Sequence, residues 1–205
     1  MIKKYEFSRY STNTYLLIEG SKSIFFDPIG PIDDLKRVVE ESDTELQGIV
    51  YTHGHFDHIA SANEVYDAFQ VGIYIHQDEK DFLFDAQLNL SGLFNEKFQF
   101  VHQEAVHYFT EDGEYEIAGI RLHIIHTPGH TKGGIIIQYG NEIITGDTLF
   151  QGSIGRTDLP TGDYQVLRKS LQKFRTFDPD TILHPGHGPS TSVKQELNTN
   201  PYLKD

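Results

Sequence analysis

Apolar residues run through this chain in two rhythms. Short blocks at residues 4–7, 14–18, 23–26, 48–51 and 73–75 are rich in β-branched and aromatic side chains and predict strands. Between them the spacing lengthens. Pro31 opens a helix with Leu35, Val38 and Val39 on one face. A second helix is expected from about residue 58 to 69, where Ile59, Ala62, Tyr66 and Phe69 recur at helical spacing, and a short one at 78–84. The first half is therefore strands followed by a βαβαβ alternation, the pattern of a layered α/β domain.

The second half is predominantly strand, at 115–117, 120–125, 134–138 and 142–145, separated by turns such as Ala118-Gly119 and Gly140-Asn141. Clean alternation from Ile120 to Ile124 sends Arg121 and His123 to the polar face. Gly162-Asp163 then caps a helix carrying Tyr164, Leu167, Leu171 and Phe174 on one stripe, and 181–183 gives a last buried strand. Residues 85–103 fit neither rhythm, although Leu88, Leu90, Leu93, Phe94, Phe98 and Phe100 make them apolar. Such a loop covers its own core, walls a substrate pocket or meets a second copy, and the first is the simplest reading. Tyr5, Tyr10 and Tyr15 read as core and strand residues.

A chain of 205 residues suits one domain, expected over 1–205. A net charge of −13 argues against nucleic acid and anionic membrane surfaces as partners. Without cysteine there is neither a disulfide nor a thiol nucleophile, so any metal falls to His, Asp and Glu. No apolar run approaches the roughly 20 residues that span a bilayer, and the start is too polar for a signal-peptide core. The expectation is a soluble, cytoplasmic protein, monomeric or homodimeric.

One stretch concentrates the chemistry. Thr52-His53-Gly54-His55-Phe56-Asp57-His58 follows the predicted strand 48–51, where α/β sheets tend to place ligands. With one residue between them, His53 and His55 can be aimed at one point through a turn at Gly54, and Asp57 and His58 can serve a second point nearby. Imidazole with carboxylate suits Zn²⁺, Fe²⁺ or Mn²⁺. Three later loops each follow a strand and present one further candidate beside glycine: His130 in Pro128-Gly129-His130, Asp147 in Gly146-Asp147, and His187 in Gly186-His187. Together these make seven candidates, enough for two adjacent ions. His76, His102, His107 and His123 read as structural or exposed, and His126 and His184 as packed or capping.

Asp27 after a strand, then His-x-His-x-Asp-His, a single His, a single Asp and a final His resembles the metallo-β-lactamase superfamily over nearly the whole chain. The resemblance implies an αββα sandwich of two sheets with the metals at one edge. It implies His53, His55 and His130 on one divalent ion, Asp57, His58 and His187 on the other, and Asp147 bridging. Asp27 would orient the motif loop. The run Gly146-Asp147-Thr148-Leu149-Phe150, followed by Gly155-Arg156-Thr157-Asp158, is similar to the glyoxalase II-like hydroxyacylglutathione hydrolases of short bacterial type, without the C-terminal glutathione-binding helical domain of full-length glyoxalase II.

That resemblance implies hydrolysis of a small-molecule acyl thioester by a metal-bridging hydroxide oriented by Asp57, with two ions, zinc or a zinc–iron mixture. Persulfide dioxygenases share the Gly-Arg-Thr-Asp run and use one iron, which would fall here to His53, His130 and Asp147. A lactonase or other superfamily hydrolase and a non-catalytic metal-binding module are further readings. Arg156 and Asp158 either edge the pocket, with Arg156 meeting a substrate carboxylate, or pair locally, and their spacing favours the local pair.

Overall fold

Strand alternation sorts the apolar side chains of this chain into three separate cores. The computed structural model describes residues 1–8 and 10–204. The first sheet contains β1 (Ile2–Tyr5), β2 (Thr14–Glu19), β3 (Lys22–Phe26), β4 (Glu45–Val50), β5 (Ile73–His76) and β6 (Val106–Phe109), adjacent in that order. The first three strands are antiparallel and the last three join in parallel. Helices α1 (Ile32–Glu41), α2 (Phe56–Ile59) and α3 (Ala62–Phe69) occur in the crossovers. The second sheet takes β7 (Gly113–Ile117), β8 (Ile120–His126), β9 (Ile135–Tyr139) and β10 (Glu142–Gly146). After a hairpin of β11 (Leu149–Phe150) and β12 (Ser153–Ile154), it gains β13 (Ile182–Pro185) and β14 (Thr191–Ser192). Its order is β14-β13-β10-β9-β8-β7, and β10–β13 is its parallel pair.

The period of two explains the layering. Leu16, Phe25 and Ile49 join Leu35, Val38, Ile59 and Val65 in a core between the first sheet and its helices. The intervening Tyr15, Leu17, Ile24, Phe26 and Val50 meet Ile120, Leu122, Ile124, Ile135 and Ile137 between the sheets. On the far side Ile125, Ile136, Ile143 and Leu183 pack on α4 (Tyr164–Leu171) and α5 (Val193–Thr199) through Leu167, Leu171 and Val193. Three cores between four layers make the expected αββα sandwich. Among the described residues no helix is long and apolar enough to cross a membrane.

Several local expectations are corrected. The helix read over 58–69 breaks at Ser61, which has φ −92° and ψ 7° and whose hydroxyl exchanges hydrogen bonds with both backbone groups of Gly30. Asp57 and His58 consequently ride on a one-turn helix of their own. The short helix read at 78–84 is present as a 3-10 helix, Gln77–Leu83. Strand β6, the hairpin, β14 and α5 have no clear sequence signal, the hairpin strands being only two residues each.

Candidate metal centre

Four strand ends meet at one edge of the sandwich. The 53–58 loop follows β4 of the first sheet, while His130, Asp147 and His187 follow β8, β10 and β13 of the second. The segment at residues 11–13 stitches the two halves together. Thr12 donates its hydroxyl to the Asp57 carbonyl, and Asn13 donates to the carbonyls of Gly186, Pro185 and Gly188. The last loop needs glycine, since a Cβ at Gly186 would lie 2.2 Å from Asp147 Oδ1 and 2.8 Å from His58 Cε1.

Inward-facing nitrogens are fixed by what the outer ones touch. His53 Nδ1 faces Thr52 Oγ1 at 3.1 Å, and that hydroxyl donates to Asp27 Oδ2 at 2.7 Å. His58 Nδ1 faces the same carboxylate at 2.9 Å. His130 Nδ1 donates to the Arg156 carbonyl at 2.7 Å, and His187 Nδ1 to the Ser11 carbonyl at 3.0 Å. The opposite nitrogens then converge. His55 Nδ1 lies 3.1 Å from His53 Nε2 and 2.9 Å from His130 Nε2. His187 Nε2 lies 3.1 Å from Asp57 Oδ2, and His58 Nε2 lies 3.4 Å from Asp147 Oδ1. Asp147 Oδ2 is 3.5 Å from His130 Nε2 and 3.7 Å from His187 Nε2, so this carboxylate sits between the two groups.

All seven sequence candidates thus gather at one place, in three sets that could hold a cation: His53, His55 and His130; His53, His58 and Asp147; Asp57, His58 and His187. The chemistry of the set fits divalent metal. Burial and the surrounding imidazoles push His53 well below its ordinary value and His55 down to about 3, leaving both neutral with free lone pairs. Neutral imidazole nitrogens at 2.9–3.1 Å repel unless a proton or a cation lies among them. His58 Nε2 and Asp147 Oδ1, both pointing inward, are buried without a hydrogen-bond partner. Burial opposes charge on Asp57 and Asp147, but His58 beside them holds both carboxyls below the usual range.

Asp27 does not reach the centre; it holds the loop from behind, in the left-handed region at φ +46°. Arg156 binds Asp158 through two hydrogen bonds of 2.7 Å, and the residue also lines the cavity at the centre. That cavity, about 500 Å³, has His55, Asp57, His130, Asp147 and His187 as its floor. The rest of its lining includes Tyr10, Leu90, Leu93, Phe94, Phe150, Ile154 and Leu159. Tyr10 packs against the first core, as expected, and also lines the cavity, and part of the 85–103 loop lines it too while Phe98 and Phe100 cover the core.

Sequence reasoning missed Glu79. Fully buried, its carboxylate accepts from Gly54 N at 2.8 Å and Gly133 N at 2.7 Å, tying the His53–His55 turn to the loop that carries His130. Gly54 leaves room for this, since a Cβ there would fall 2.4 Å from Phe82 Cβ. A further grouping of His76, Asp78 and His126 is a ring stack instead. The two imidazoles lie 4.1 Å apart at 11°, so their in-plane lone pairs run parallel and do not converge. His184 packs between Glu142 and Ser190.

Comparison with known proteins agrees with this geometry. The sequence profile of the metallo-β-lactamase superfamily matches residues 8–187. The probable metallo-hydrolase YqgX of Bacillus subtilis is 37% identical over 194 residues, covering 93% of this chain and 92% of its own. The hydroxyacylglutathione hydrolase GloC of Haemophilus influenzae is 34% identical over 202 residues, covering 95% and 93%. The crystal structure of the BLEG-1 B3 metallo-β-lactamase superposes with a TM-score of 0.95 at 34% identity over the full length of both chains. The chain belongs to the metallo-β-lactamase superfamily and is a metallo-hydrolase of that group.

Proposed function

We propose that this protein hydrolyses acyl thioesters with two divalent cations, zinc or a zinc–iron mixture. His53, His55 and His130 hold one cation, Asp57, His58 and His187 the other, and Asp147 lies between. A pair of such cations lowers the pKa of bound water toward about 7 and polarises a carbonyl oxygen. The observation that carries the reading is the make-up of the cavity. Five of the seven candidate ligands line it, and no Ser, Thr, Cys or Lys stands among its described lining residues, which supports water as the nucleophile. Thioester is favoured over other acyl compounds by the likeness to the hydroxyacylglutathione hydrolase.

The chain's own residues prepare that attack. Asp57, kept ionised beside His58 and half-open to the cavity, accepts a hydrogen bond from the attacking water and orients it. Asp27 and the Arg156 and Ser11 carbonyls fix the tautomers of His58, His130 and His187, so that each Nε2 faces inward. The water oxygen bonds to the carbonyl carbon as the C–S bond breaks; the acyl group leaves as a carboxylate and the carrier as a thiol, one proton of the water passing to sulfur and the other to solvent.

The test is loss of thioester absorbance with S-D-lactoylglutathione, with and without a chelator. Chelator-sensitive turnover is expected, and His53→Ala is expected to lose most activity together with metal. Normal turnover by metal-free His53→Ala protein would sink the mechanism. Oxygen uptake with glutathione persulfide and no thioester turnover would move the reaction to persulfide oxidation. The likeness to a B3 metallo-β-lactamase favours a second reading, amide hydrolysis in a β-lactam ring, which a chromogenic cephalosporin reports in the same cuvette.

A further inference from the structure

The wall of the cavity that begins at Asn89 is built inside out. Asn89 and Ser91 are fully buried, whereas Leu93 is 76% exposed and Phe94 46% exposed. The inversion is held by design of the backbone. Asn89 donates to the Phe82 carbonyl at 2.8 Å and accepts from Ser91 N at 2.9 Å, and its own carbonyl accepts from Phe56 N at 2.7 Å. Ser91 Oγ accepts from Phe98 N at 3.1 Å. Leu90 sits in the left-handed region at φ +69°, a conformation that costs a non-glycine residue free energy. A loop that spends its polar groups inward and strains its backbone to hold leucine and phenylalanine toward solvent is adapted to something apolar.

What it faces is the reaction centre. Leu90, Leu93 and Phe94 share one cavity with His55, Asp57 and Asp147, and Phe150, Ile154 and Leu159 complete its apolar lining. Phe94 is also fixed edge-on to Tyr10, with ring centroids 5.3 Å apart. Arg156 is the one arginine or lysine among the described lining residues, and Asp158 already engages its guanidinium through Nε and one Nη. The lining thus offers contact area to a hydrocarbon and little to a carrier with several charges.

We infer that the substrate carries an apolar body, aliphatic or aromatic, next to its scissile carbonyl, and that the 89–94 loop and the Phe150 hairpin form its receptor. This rests on the thioester reading above. The apolar body is either the acyl chain or the thiol, and two substrate series separate them. One lengthens the acyl group from acetyl to hexanoyl on N-acetylcysteamine; the other joins acetyl to alkanethiols of rising length.

With the metal-loaded protein, kcat/KM is expected to rise about threefold to fourfold per methylene in one series, which identifies the half that is bound. Leu93→Ser with Phe94→Ser, and separately Phe150→Ala, should flatten that gradient to less than about 1.5-fold per methylene, with far-ultraviolet circular dichroism and metal content unchanged. Hydrolysis with no gradient in either series overturns the inference and leaves the thioester reading intact. A gradient that both variants retain removes the two walls from the receptor. Failure to hydrolyse any member overturns both readings.

Discussion

Asp27 answers three donors with two oxygens. Oδ1 accepts from Thr52 N, and Oδ2 accepts from the Thr52 hydroxyl and from His58 Nδ1. Asparagine tolerates the same left-handed backbone but turns an N–H₂ toward one of those donors. Asp27→Asn is therefore expected to lower metal affinity about 10-fold to 100-fold with little loss of fold, read by competition with a chromogenic chelator. An unchanged affinity would remove Asp27 from the positioning of His58. Glu79 makes a pH argument of its own. Burial pushes its carboxyl up to about 7, although two backbone N–H groups favour the ionised form. A raised carboxyl contributes stability that is complete below its unfolded value of about 4.5 and lost as pH rises through about 7. Urea midpoints of metal-free protein should show that decline between pH 5 and 8, and Glu79→Gln should lack this share of it. Parallel profiles for the two proteins would assign the slope elsewhere. The motif at 53–58 was legible because its ligands are neighbours in sequence. Glu79 was not, since it is placed by hydrogen bonds from backbone N–H groups 25 and 54 residues away, and no side-chain pattern records such a contact.

At the scale of elements, α5 steadies one wall of the cavity. Buried Glu196 accepts from Gly152 N at 2.8 Å and from the Thr191 hydroxyl at 2.6 Å, and Asn200 donates to it and to the Ser153 carbonyl. The β11–β12 hairpin, with Phe150 at its turn, hangs from this pair. Glu196→Ala strands those donors and should cost about 2–3 kcal/mol, measured by chemical unfolding. Its effect on catalysis should fall mainly on KM, because the residue touches the wall and none of the metal candidates; a fall in kcat alone would contradict that. Most strands and the helices α1 and α4 were readable from period, and Asp163 does cap α4, its side chain accepting from Gln165 N and Val166 N. The break at Ser61 and the inverted loop at 89–94 were not, since in both a tertiary partner overrides the local pattern: Gly30 in one case, Phe56 and Phe98 in the other.

For the whole molecule, alternation pointed to a layered α/β domain and the family resemblance to its four layers, while the order of strands within each sheet was read from neither. Net charge acts at this scale as well. A chain at −13 repels anionic substrates beyond contact distance, and salt screens that repulsion over about 8–10 Å. The kcat/KM for a glutathione thioester should climb a few-fold between about 10 and 150 mM salt, while an uncharged thioester stays level. A fall with salt would point instead to a local basic field at the cavity mouth.

The division of candidate ligands between the sheets has a kinetic consequence. His53, His55, Asp57 and His58 follow a strand of one sheet, His130, Asp147 and His187 strands of the other, so cations held as proposed would fasten a seam. A cation can be fully wrapped only after both halves of the chain have docked, and can leave only when they part. Stripping by excess chelator then becomes a clock for breathing of the sandwich, its limiting rate set by how often that edge opens and not by the chelator's appetite for metal.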